Sequence, residues 1–325
     1  MGARLAGLAA ALSVLAGPLL ANPARAEDVA LTFDDLPTMA LSPTTPYAAV
    51  TTRTLLAGLK RHHIPATGFV NEVKLEARDK AERIALLKAW LDAGMDLGNH
   101  TYDHPHFSTD AAAEIAEAAK GEVVTRALLA ARHRTPHWFR HPYLETGATD
   151  EARTAFEAWL TAHGYRVAPV SMENSDWMFA LPYDEAVGKG DAAEAARIKA
   201  AYLAFTAQIV PWYRQAALDV LGRRPKFVFL LHATRLNADS IDGLAEILKA
   251  NDLKPVTLAR AMTDPAYAMA EDAVGANGNQ WVSRWAITRN KPMPWATLPR
   301  PPADIKAIDD RLEGAVGPPA APAKP

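Results

Sequence analysis

The chain has 325 residues, 49% of them hydrophobic and 22% charged, with a formal net charge of −2. That length and apolar content can bury one large core, while the near-neutral charge excludes a basic field for nucleic acid. The absence of cysteine excludes disulfides, thiolate metal ligands and a lipid-bearing cysteine.

Residues 1–26 differ in kind from the rest. Arg4 precedes an apolar run from Leu5 to Leu20, and Ala24-Arg25-Ala26 stands directly before Glu27. A charged start, an apolar stretch and an A-x-A ending read as a secretory signal cut after Ala26. The run is too short and too interrupted by glycine and proline for a comfortable membrane span. The mature protein is therefore expected to be periplasmic or extracellular, with no stable membrane insertion once the signal is cut. Beyond the signal, no stretch is apolar enough to cross a bilayer.

After the signal, strand-like and helix-like runs alternate. Strands are expected at 28–33, 67–70, 95–99, 138–140, 165–170, 226–231 and 254–257. Helices are expected near 46–61, 76–93, 109–133, 149–163, 193–221 and 240–250. Repeated β-α order implies a parallel sheet, and about seven units fit a closed or nearly closed barrel better than an open sheet. All strand ends then open into one mouth.

The segment from Asp191 to Gly222 is long for a crossover. Ile198, Tyr202, Phe205, Ile209 and Trp212 recur at helical spacing and read as a stripe packed on the barrel. Pro211 is expected to kink or split this helix. Past about Asp264 the pattern degrades. Trp281 and Trp285 lie four apart and Trp295 follows in proline-rich sequence, so 264–316 reads as an irregular extension with buried tryptophans rather than sugar-stacking ones. Residues 317–325 cannot form a core and are expected to be disordered. The division is a signal at 1–26, a catalytic domain at 27–263 with a helical insert at about 187–222, the extension and the tail.

The chemistry gathers at strand ends. Asp34 and Asp35 follow the strand 29–33, and His100 and His104 follow the strand 95–99. Asp-His-His is a normal ligand set for a divalent ion such as Zn²⁺, with a position left to water. One aspartate would bind the ion and the other would act as base. Thr101 can fix the imidazole orientation from behind. Arg140, at the end of another strand, can hold a carboxylate ionised and oriented. His232 closes the most apolar strand, and Asp176 is the candidate carboxylate to raise its pKa toward that of a useful acid.

Each signal has a bland reading. An Asp-Asp pair is often a helix cap, His-x-x-x-His pairs arise by chance, and a lone histidine is usually structural. Five strand-end signals in one α/β chain make coincidence improbable. His62, His63, His106, His133, His137, His141 and His163 read as surface or loop residues, with His106 and His141 adjoining motifs.

These residues also carry a resemblance. Thr32-Phe33-Asp34-Asp35, His100-Thr101-x-x-His104, Arg140-x-Pro142-Tyr143, Asp176-Trp177 and Leu230-Leu231-His232 resemble, in order and approximate spacing, the five motifs of the polysaccharide deacetylase family (NodB homology, carbohydrate esterase family 4). The resemblance covers about residues 28–260. It implies a distorted (β/α) barrel, usually of seven strands, and metal-dependent removal of acetyl groups, most often from N-acetylglucosamine in a polymer.

Carried over by motif, Asp34 would be the base, and Asp35, His100 and His104 the metal ligands. Arg140 would orient Asp34, and Tyr143 would offer its backbone N–H to the oxyanion. Asp176 would tune His232 as general acid, while Trp177 and Leu230 would line the acetyl pocket. His141 and Leu144 depart from the proline and glycine common around the arginine motif, and the span from Asp176 to His232 is long.

The expected protein is a secreted, monomeric hydrolase of carbon–nitrogen bonds other than peptides. It would act on an acetylated glycan with Zn²⁺ as first choice of metal, and Co²⁺ or another divalent ion as alternatives. An O-acetyl esterase or a small-molecule amidase on the same fold is the alternative reading. A non-catalytic carbohydrate-binding or cell-wall protein would be marked by loss of a base or ligand, and none is lost.

Overall fold

The computed structural model describes residues 26–269 and 278–316, together with Gly2. Its centre is β1 (Glu27–Leu36), whose run Val29-Ala30-Leu31-Thr32-Phe33 is buried throughout. An apolar run buried on both faces is what a central parallel strand requires. β2 (Ala66–Val70) pairs with one edge of β1, and β7 (Phe227–His232) pairs with the other. β3 (Asp96–Asn99), β4 (Trp138–Phe139) and β5 (Arg166–Val167) continue beyond β2, and β6 (Met172–Glu173) flanks β7. The strand order is β5-β4-β3-β2-β1-β7-β6, every pairing is parallel, and β8 (Leu253–Pro255) adds to the start of β1. A curled seven-strand path is the (β/α) barrel expected, with one short strand added.

Helices cover the outside: α1 (Thr45–Arg61), α2 (Lys80–Asp92), α3 (Ala111–Lys120), α4 (Val123–Ala130), α5 (Asp150–Ala162) and, ahead of β8, α8 (Arg235–Ala250). Thr44, Asp110, Thr149 and Thr234 each accept a first-turn N–H with a side-chain oxygen, which fixes where α1, α3, α5 and α8 begin. The stretch 109–133 is two helices rather than one. It breaks at Gly121, where a Cβ would lie 2.4 Å from the backbone of Thr101. Only glycine lets this junction press against the segment that carries His100 and His104.

Three other expectations need correction. The run 165–170 is not one strand: β5 ends at Val167, before Pro169, which has no N–H to give a ladder, and β6 follows. The helical insert begins at Asp176, with α6 (Asp176–Gly188), and not near 187. The following helix, α7 (Ala192–Leu221), is not split at Pro211. Its stripe Ile198, Tyr202, Phe205, Ile209 and Trp212 is buried, and this packing outweighs the lost hydrogen bond.

The extension is more ordered than its sequence suggests. A short helix, α9 (Leu258–Ala261), leads to α10 (Trp281–Thr288) and α11 (Ala303–Val316). Trp281 and Trp285 are buried, as expected, while Trp295 is about half exposed. Among the described residues β5 and β6 do not pair, so strands alone do not close the barrel. The extension fills this seam. The Trp281 N–H donates to the Val170 carbonyl at 2.6 Å. The Tyr267 hydroxyl bonds the Lys226 carbonyl and the Ser171 hydroxyl, both at 2.8 Å. The segment expected to be a signal, up to Arg25 and Gly2 apart, and the tail 317–325 lie outside the described residues. No described helix is long and apolar enough to cross a membrane.

Candidate active site

Parallel pairing brings the strand-end residues together. The β1–β7 register sets Asp34 opposite His232, and the pairing of Asn99 with Phe139 brings His100 and Arg140 side by side. Around this mouth six non-glycine residues adopt left-handed backbone: Asp35 (φ 71°), Thr101 (64°), His104 (55°), Tyr143 (52°), Leu144 (57°) and Ser175 (49°). Such conformations persist only where the surroundings over-determine them, and they cluster at functional sites.

Asp35, His100 and His104 offer ligand atoms that all lie within 4.8 Å of one another. His100 Nδ1 donates to the Arg140 carbonyl at 2.8 Å, which leaves Nε2 as the free lone pair. Thr101 Oγ1 accepts the His104 N–H at 3.1 Å, and Asn99 Oδ1 accepts the Thr101 N–H at 2.8 Å. Burial holds the His100 pKa well below its usual value, and burial lowers that of His104 against the opposing charge of Asp35. Burial would raise Asp35, but Lys74 at 3.1 Å and the neighbouring imidazoles outweigh it and hold the carboxyl well below the usual range. Two neutral imidazoles and one ionised carboxylate fit a divalent ion of the Zn²⁺ type.

Asp34 lies beside this set, with Oδ2 3.6 Å from His100 Nε2. Arg140, 1% exposed, holds it. Nη1 reaches the two carboxylate oxygens at 3.2 and 3.4 Å, Nη2 donates to Thr32 Oγ1 at 3.0 Å, and Nε donates to the Ala168 carbonyl at 2.8 Å. Burial nevertheless raises the Asp34 pKa to about 6, the positive charges of Arg140 and His232 offsetting only part of it. A carboxylate poised near neutrality is what a general base requires.

His232 stands beside Asp34 at the end of the neighbouring strand. Its Nδ1 lies 2.8 Å from Asp176 Oδ1, and its backbone N–H donates to Asp176 Oδ2 at 2.7 Å. Burial disfavours the imidazolium, but Asp176 overcomes it and the pKa rises to about 9. Asn237 donates to Asp176 Oδ2 and to the His232 carbonyl, and Tyr202 from α7 bonds Asn237 in turn. Sequence reasoning missed Asn237, Tyr202 and Lys74. The Thr234-x-x-Asn237 helix start was the one local signal for Asn237, whose backbone N–H bonds Thr234 Oγ1 at 3.1 Å.

Tyr143 is about half exposed, with its ring 4.5 Å from the His104 ring and stacked on that of His106 at 3.9 Å. No hydrogen bond to its backbone N–H forms among the described residues. Trp177, 36% exposed, begins α6 beside Asp176, and Leu230 is partly buried opposite Thr32. His106 is exposed, as expected of a surface residue.

His141 is not a surface residue. It is buried among Phe107, Phe139 and Phe156, its Nδ1 has no partner, and burial drives its pKa to about 3. Its Arg140-His141-Pro142 setting gave no apolar pattern from which to read this. A cavity of about 450 Å³ lies at the seam, lined by His141, Val167, Tyr267 and Trp281 among others. It contains neither the Asp-His-His set nor Asp34 or His232, so the chemistry belongs to the mouth.

Residues 21–167 match the family model described as polysaccharide deacetylase. Among similar solved structures is a family 4 carbohydrate esterase from Streptomyces lividans in complex with acetate, 22% identical over 71% of this chain and 92% of that one, TM-score 0.44. The chitin deacetylase of the fungus Colletotrichum lindemuthianum is 22% identical over 73% of this chain and 88% of that one, TM-score 0.48. A family 4 pseudoenzyme from Bacillus anthracis is 17% identical over 70% of this chain and 63% of that one, TM-score 0.45.

Proposed function

We propose that this chain, whose residues 21–167 match the polysaccharide deacetylase family model, removes N-acetyl groups from glycans containing N-acetylglucosamine, with a divalent metal, Zn²⁺ first, at Asp35, His100 and His104. The observation that carries this reading is the gathering at one mouth of Asp34 held by Arg140, His232 held by Asp176, and the ligand atoms of Asp35, His100 and His104.

When bound, the ion supplies positive charge that polarises the acetyl carbonyl and the attacking water. Asp34 takes the proton from that water, and Arg140 keeps the carboxylate aimed. As the carbonyl oxygen gains charge, the Tyr143 N–H donates to it. Collapse of the tetrahedral carbon breaks the C–N bond, and His232 Nε2 gives its proton to the departing amine while Asp176 steadies Nδ1. Acetate and a free amine are the products. Trp177 and Leu230 wall the acetyl group.

The Ala24-Arg25-Ala26 sequence supports export, and N-terminal sequencing of exported protein should begin at Glu27. The function is tested by incubating purified, metal-loaded protein with chitin oligomers, peptidoglycan and acetylated xylan and measuring released acetate. Acetate from xylan alone would replace the amide reading with an O-acetyl esterase.

A further inference from the structure

The part of the chain that sequence motifs leave unexplained reaches the mouth from behind. Arg284, on α10, is 1% exposed. Its guanidinium lies over the Trp281 ring, 4.4 Å from the centroid, and Nε donates to the Asn279 carbonyl at 2.8 Å. The two remaining nitrogens reach the loop after β4. Nη2 donates to the Leu144 carbonyl at 2.7 Å, and Nη1 donates to Thr146 Oγ1 at 2.9 Å. The Gly278 N–H adds a second bond to the same Leu144 carbonyl at 3.2 Å.

Leu144 follows Tyr143, and both stand in left-handed backbone, at φ 57° and 52°. Neither is glycine, and the turn's own bonds, from the Leu144 N–H to the His141 carbonyl at 3.2 Å and from the Glu145 N–H to the Pro142 carbonyl at 2.9 Å, leave the Leu144 carbonyl to be held from outside. β4, which leads into it, pairs over only two residues, so the strand ladder fixes little here. The same segment also reaches the opposite rim. Gln280 donates to the Tyr213 hydroxyl at 3.2 Å, and that hydroxyl donates to Glu173 at 3.0 Å. Glu173 in turn accepts the N–H of Ser175, the residue before Asp176, at 2.7 Å.

We propose that the C-terminal extension completes the active site, with Arg284 as the positioning residue that aims the Tyr143 N–H at the reacting carbonyl oxygen. The proposal rests on the deacetylase reading above. A guanidinium suits the task because its planar fork bonds two separated groups of the loop at once and so sets orientation as well as distance. A lysine offers one charged point and can hold only one of them.

The test compares wild type with Arg284→Lys and Arg284→Ala, all metal-loaded. Hydrogen exchange of the peptide spanning 141–149 should quicken in both variants, while metal content stays at the wild-type level. Since a misplacement of about 1 Å can cost about a hundredfold in rate, kcat on an N-acetyl oligosaccharide should fall by roughly tenfold to a hundredfold, with KM within about twofold. Added ethylguanidinium should restore part of the kcat of Arg284→Ala. Unchanged exchange in 141–149, or faster exchange with undiminished kcat, would overturn the proposal. So would a parallel loss of kcat, metal and melting temperature in both variants, which is the mark of a purely structural arginine. A wild type that releases acetate from no substrate would sink the deacetylase reading instead, and exchange alone would then decide whether Arg284 holds the loop.

Discussion

The two sides of the barrel mouth are held by different means. On one side, β1 and β7 pair in unbroken register from Val29 with Phe227 to Asp34 with His232, so the backbone itself sets base against acid. On the other, β4, β5 and β6 are two residues each, and the sheet stops on either side of a seam. There the Tyr267 and Arg284 side chains and the Trp281 backbone N–H do what the ladder does elsewhere. The paired side carries Asp34 and His232, the proposed proton-transfer groups, and the sealed side carries the loop proposed to read the carbonyl. Substitutions on the paired side should therefore cost chemistry, and those on the sealed side should cost stability or alignment.

The largest expected effect is that of Asp34→Asn. It removes the base and leaves all three ligands, so kcat should fall about 10³- to 10⁴-fold with metal content unchanged. Asp35→Asn should weaken metal affinity as well, and a swap of the two phenotypes in a metal titration would reverse the assignment of base and ligand. His104→Ala tests the ligand set more directly. It should lose most bound metal, because three-ligand sites seldom survive the loss of one, and stoichiometric metal in that variant would remove His104 from the set.

His232→Ala should cost about 10²- to 10³-fold on an N-acetyl sugar and far less on an aryl acetate, because an amine cannot leave unprotonated whereas a phenolate can. Equal losses on both substrates would make His232 a substrate-positioning group. The pH profile carries the same sign. Asp34 must be ionised, so activity should be lost as pH falls through about 6. His232 must be protonated, so activity should be lost as pH rises through about 9. A bound cation moves both limbs toward lower pH. An alkaline limb that survives in His232→Ala would assign that limb to another group.

The smallest effect belongs to the seam. Tyr267→Phe removes the hydroxyl that bonds Lys226 and Ser171, and should cost about 1 kcal/mol, with metal content untouched. Loss of metal from that variant would mean that the two sides of the mouth are not separable.

What the sequence disclosed follows the same division. Asp34, Asp35, His100, His104, Arg140 and His232 stand directly after apolar runs, and in a parallel α/β sheet a strand end is already a position in space. Their spacing could be read because the backbone does the placing. Arg284 and Gln280 sit in a stretch with no repeating pattern, and their bonds to Leu144 and Tyr213 span more than sixty residues of sequence. β6 and α6 were missed because two residues make no periodic signal and because Pro182 interrupts the helical one. Lys74 was missed because it follows β2 in a short helical turn and meets Asp35 only through the fold.

The position of β1 also sets a schedule. It is the first strand among the described residues, yet its Thr32 hydroxyl bonds the Phe229 carbonyl, 197 residues further along. Until β7 arrives, Val29, Leu31 and Phe33 lie along an open edge, and pairing delayed over so long a loop is slow and prone to aggregation. Asp35, His100 and His104, the proposed ligands, are all in hand well before that moment. The acid His232 comes only with β7, and the Arg284 clamp later still. A chain emerging from its N-terminus would gather the elements of the metal set first and the means to turn over substrate last.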